Sequence, residues 1–170
     1  MTARAGSSPR AGSSPQAGSS PQAGGSPQAG GSPRVKRWLR AGLTVLALIT
    51  LIAGAWQYFA PRSFYTDVPT VAADPPFNQH LMTDVGGLGL ALALVLGVAA
   101  ATMDRLLIRV ALAAYLVYSI SHLLFHVTHL TGLSAGGIAF LVTSLALLPV
   151  LALALLILAA RAGPPDKRLA

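Results

Sequence analysis

The chain has 170 residues, 54% of them hydrophobic and only 10% charged, where an average soluble domain carries about 25% charged residues. So large a deficit leaves too few charges to cover a water-facing surface, which excludes an ordinary soluble globular protein. Twelve Lys and Arg stand against five Asp and no Glu, for a net charge of +7. The absence of Cys excludes disulfides, thiolate catalysis, Cys-ligated zinc and cysteine-bound iron–sulfur clusters.

Residues 5–34 repeat one six-residue unit five times: AGSSPR, AGSSPQ, AGSSPQ, AGGSPQ and AGGSPR. No unit holds an apolar residue larger than Ala, so nothing offsets the entropy of ordering it. Residues 1–34 are therefore expected to form a disordered Ala/Gly/Ser/Pro/Gln tail. Such a tail is either a flexible linker open to phosphorylation or a dispensable extension.

Four apolar stretches follow, at about 37–60, 80–103, 106–129 and 136–160. Each approaches or exceeds the roughly 20 residues that carry a helix across about 30 Å of hydrocarbon. None alternates with the period of two that a spanning β-strand requires. In lipid the backbone must satisfy its own hydrogen bonds, so each stretch is predicted to be a helix. Pro149 is expected to kink the fourth. The predicted fold is all-α: a four-transmembrane-helix bundle over 35–161, with a short tail at 162–170.

The first stretch has a rival reading. Lys36, Arg37 and Arg40, an apolar run and Ala53-Gly54-Ala55 together resemble a signal peptide with its cleavage site. Against cleavage, the apolar character continues past that site through Trp56, Tyr58 and Phe59, aromatics suited to a membrane interface.

Lys and Arg at the helix ends set the orientation. Arg34, Lys36, Arg37, Arg40, Arg105, Arg109, Arg161, Lys167 and Arg168 fall on one side, and Arg62 alone on the other. This bias predicts a multi-pass cell-membrane protein with both termini cytoplasmic. It also accounts for the positive charge through the bilayer, with no nucleic-acid partner implied. The partners expected are lipid and a second copy or a membrane complex. The long 61–79 loop and the 131–135 turn fall outside. The prolines at 61, 69, 75 and 76 stiffen that loop, which is expected to be an ordered cap over the second and third helices.

All four histidines fall toward the outer face. His122, His126 and His129 are spaced by four and three residues, which places them on one helical stripe that Tyr118 and Tyr115 extend inward. His80 and Asp84 share a face of the second helix. A short connection makes the second and third helices expected antiparallel neighbours, so His80, Asp84, His122, His126 and His129 are a candidate cluster. Three readings stay open. Imidazoles and a carboxylate suit a metal ion, or a haem between His80 and a histidine of the third helix. The same residues without metal suit proton relay or small-ligand binding. They also suit plain interhelical hydrogen bonding. Gly86, Gly87 and Gly89 are read as helix packing. There is no phosphate loop, dinucleotide fingerprint or nucleophile elbow, so no soluble-enzyme chemistry is indicated.

Three runs carry a resemblance: Phe59-Ala60-Pro61-Arg62-Ser63-Phe64-Tyr65, then Asn78-x-His80-x-x-x-Asp84-Val85-Gly86, then His122-x-x-x-His126-x-x-His129. Over about residues 37–160 the chain resembles small actinobacterial four-helix membrane proteins of unknown function, loosely DoxX-like. The weight on Ala, Gly, Pro, Arg and Leu fits such a GC-rich source. The resemblance implies the four-helix fold and a link to redox or quinone-linked membrane systems. The functional expectation is thus an outer-leaflet His/Asp cluster binding a metal, a proton or a small ligand in a redox-linked membrane system. The alternative is a non-catalytic structural or accessory membrane subunit.

Overall fold

A computed structural model of the chain describes residue 2, residues 32–73 and residues 76–161. The hexapeptide tail, apart from its last three residues, lies outside the described residues, as do Pro75 in the loop and the tail at 162–170. The described elements are α1 (Pro33–Phe59), α2 (Pro61–Asp67), a single 3-10 turn at Val71–Ala73, α3 (Gln79–Thr102), α4 (Arg105–Thr128) and α5 (Ala135–Arg161). Of these, α1, α3, α4 and α5 are long and apolar enough to cross a bilayer, and the described residues contain no strand. The protein is an all-α four-helix membrane bundle.

Each span opens on a polar side chain that caps an otherwise unpaired backbone N–H, an economy that matters where water is scarce. Ser32 accepts from Val35 N at 3.4 Å, Asn78 from Leu81 N at 3.1 Å, Asp104 from Leu107 N at 2.8 Å and Ser134 from Gly137 N at 3.1 Å. The first of these corrects the expected boundary. The helix begins at Pro33 rather than 37, because the last repeat supplies Ser32 as cap and Pro33 as first helical residue. Its 27 residues span about 40 Å at 1.5 Å each, so its basic first turns extend past the hydrocarbon.

α3 packs most closely against α1, and α4 against α5; the α3–α4 contact is much smaller. The second and third spans are in contact, as their short connection led us to expect, but each packs more extensively on another helix. Glycine is the reason. A Cβ on Gly86 would lie 2.6 Å from Tyr58 N, and one on Gly54 would lie 3.0 Å from the Gly86 carbonyl oxygen. Gly89 meets the Gly54 Cα in the same way, at 3.1 Å. Backbone meets backbone here, so α3 is committed to α1 by its small face. Gly54, inside the signal-like Ala53-Gly54-Ala55, is thus a packing residue of the bundle.

The shared core sits in the half of the bundle that carries the chain ends. Leu43, Leu46, Leu96, Ile108, Leu112 and Tyr115 are its largest fully buried side chains, joined by Leu155 and Ala159 of α5. α5 runs unbroken through Pro149, which is buried.

Candidate functional site

The histidines occupy the opposite end of the bundle, where the described core thins to glycines, Ser119 and Leu141. On α4, spacings of three and four residues build a ring ladder. Tyr115 and Tyr118 have centroids 6.4 Å apart, Tyr118 stacks on His122 at 5.8 Å with planes 12° apart, and His122 meets His126 edge-on at 4.6 Å. The inner end of the ladder is anchored. Tyr115 is only 2% exposed, and its hydroxyl is directed toward Thr50 of α1. Thr50 donates its own hydroxyl to Leu46 O at 2.7 Å, leaving its oxygen to accept. Tyr118, His122 and His126 are half-buried.

The other three candidates are His80, Asp84 and His129. His80 Nε2 lies 3.4 Å from Asp84 Oδ2, and both side chains are open, 87% and 64% exposed. His129 caps the end of α4: its Nδ1 is 2.8 Å from Phe125 O and its ring stacks on Phe125 at 4.2 Å. A carbonyl only accepts, so Nδ1 carries the proton. Among the described residues, no three or more His, Asp or Glu come together in a way that would hold one metal ion. His80 and Asp84 thus pair with each other, His122 and His126 belong to the ladder, and His129 caps α4.

The loop between α1 and α3 is ordered over its described residues, but its short helix packs on α1 and α3 rather than α4. Trp56 Nε1 donates to Ser63 Oγ at 3.0 Å, and Ser63 donates on to Asp67 Oδ2 at 2.8 Å. Thr66 donates to the other carboxylate oxygen at 2.8 Å. The Ser63 and Thr66 hydroxyls hold the Asp67 carboxyl below its usual range. Arg62 lies 4.5 Å above the Phe77 ring, which Tyr65 meets edge-on at 5.5 Å. Thr70 reaches across to Gly137 in the first turn of α5.

Sequence reasoning found the α4 stripe from its periodicity but missed Thr50, the inner partner of Tyr115, because a lone Thr in an apolar run carries no pattern. It also missed the Trp56–Ser63–Asp67 chain, which depends on the sharp entry into α2 at Pro61.

Fold and site together define a multi-pass membrane protein with a Tyr/His ladder on one helix. No protein family, curated protein or solved structure matches the chain.

Proposed function

We propose that this is a cell-membrane protein with both termini cytoplasmic, in which the α4 ladder handles protons or a protonation-dependent small ligand at the outer face, in a redox-linked membrane system. The observation that carries the reading is the run of ring contacts from Tyr115 through Tyr118 and His122 to His126. Histidine is the side chain that changes charge near neutral pH, and ionisable groups within spans mark proton or ligand paths. A hydroxyl and an imidazole each both donate and accept, so the polar atoms of such a run can join a proton path wherever hydrogen bonds or water connect them. The cytoplasmic placement of the termini rests on the Lys and Arg at that end.

The test is NMR titration of histidine-labelled protein in lipid nanodiscs. Two rings in contact titrate as a coupled pair, so His126→Gln should displace the His122 midpoint and Tyr118→Phe should displace both. Independent midpoints indifferent to either change would leave an accessory, non-catalytic subunit as the better reading. Elemental analysis of the same protein bears on the metal reading. Stoichiometric metal lost in His122→Gln/His126→Gln would replace the proton role with a metal site, completed by groups beyond the described ones.

A further inference from the structure

The end of the bundle remote from the histidines holds two neighbouring cavities that share Arg40 as a lining residue. An apolar groove of about 600 Å³ runs along the outside of the α1–α3 pair, from Arg40, Thr44 and Leu51 of α1 to Leu90, Gly97 and Ala101 of α3. Gly97 leaves it open, for a Cβ there would meet nothing within 4 Å. A second cleft of about 590 Å³ lies at the helix ends, where Lys36, Arg37, Arg40 and Arg105 surround Thr102 and Met103. Arg40 lines both, and α3 passes from Ala101 in the groove to Thr102 in the cleft.

We infer that the groove and cleft together bind one anionic phospholipid, its phosphate among Lys36, Arg37, Arg40 and Arg105 and an acyl chain along the groove past Gly97. The dimensions agree: Arg40 to Leu51 covers about 16 Å of helix, close to the roughly 15 Å depth of one leaflet's hydrocarbon. Charge selects the ligand. Lys36, Arg37, Arg40 and Arg105 line the cleft, with no acidic residue among the described lining residues, and basic pockets between membrane helices recognise anionic headgroups. A zwitterionic lipid would fill the groove equally well but brings no net negative charge to Lys36, Arg37 and Arg40. The site depends on the four-span fold and is independent of the ladder's role.

Native mass spectrometry of the full chain, released from detergent micelles, reads this directly. Phosphatidylglycerol and phosphatidylcholine of identical acyl chains are the probes. Phosphatidylglycerol adducts should form at lipid concentrations lower by about 25-fold, since Arg37 and Arg40 beside a net negative headgroup each contribute roughly a fivefold preference. Arg37→Gln/Arg40→Gln, both exposed positions, should erase the preference while leaving the unfolding midpoint in detergent unchanged. Gly97→Leu should weaken both lipids alike by filling the groove. Equal binding of the two lipids by the unaltered chain overturns the inference, as does a preference that survives the double substitution. A dimer in place of lipid adducts, abolished by Gly97→Leu, would assign the groove to a second copy and overturn it too.

Discussion

Asp67 is the residue whose chemistry is most fully specified. Its carboxylate accepts from Ser63 and Thr66, and through Ser63 it is connected to the Trp56 indole. These bonds favour the charged form and lower its pKa in the folded protein. Their contribution is therefore complete above the unfolded value of about 3.9 and is lost as pH falls through the lower folded value. With Trp38 replaced by Phe, Trp56 is the sole indole. Its emission should shift below about pH 4, and the shift should be absent when Asp67→Asn is added. An identical acid transition in both would disconnect Trp56 from Asp67. On the α4 stripe, residue types and spacing were legible, since periodicity alone places Tyr118, His122 and His126 on one face. What His129 does was not: its Nδ1 is committed to Phe125 O because the helix ends there.

At the scale of elements, two glycines of the same helix separate close packing from open space. Gly86→Ala drives a methyl into the backbone of Tyr58, and backbone has nowhere to rotate. Overpacking of this kind costs about 1–3 kcal/mol, so unfolding in mixed micelles should begin at a lower denaturing-detergent fraction. Gly97→Ala meets nothing and should fall within about 0.5 kcal/mol of the unaltered chain. Equal effects would deny the backbone contact between α1 and α3. The α4 cap gives a separate handle. Asp104→Ala removes the acceptor of Leu107 N and should cost about 1 kcal/mol, while Asp104→Asn, which keeps a capping oxygen, should recover most of it. Helix existence was readable from hydropathy, whereas the start of α1 at Pro33 depended on a cap hidden in a repeat that otherwise reads as tether.

For the whole molecule, four spans put both chain ends on one side, and the Lys and Arg clustered there predict which side that is. A chain without Cys makes the check clean. A membrane-impermeant maleimide should label Thr131→Cys in intact cells and Ala170→Cys only after lysis; the opposite pattern would invert the protein. The sequence by itself determined that the chain lives in a bilayer, that it crosses four times and that its cations gather at one end. Each of these follows from local composition, because lipid penalises every polar backbone and side-chain group one segment at a time. Only the tertiary structure decided which helices pair. Without a hydrophobic drive between helices in lipid, partner choice falls to close packing. Gly54, Gly86 and Gly89 fit α3 to α1 at distances no pattern of hydropathy encodes. Along the same two helices that pairing leaves the apolar groove that shares Arg40 with the basic cleft.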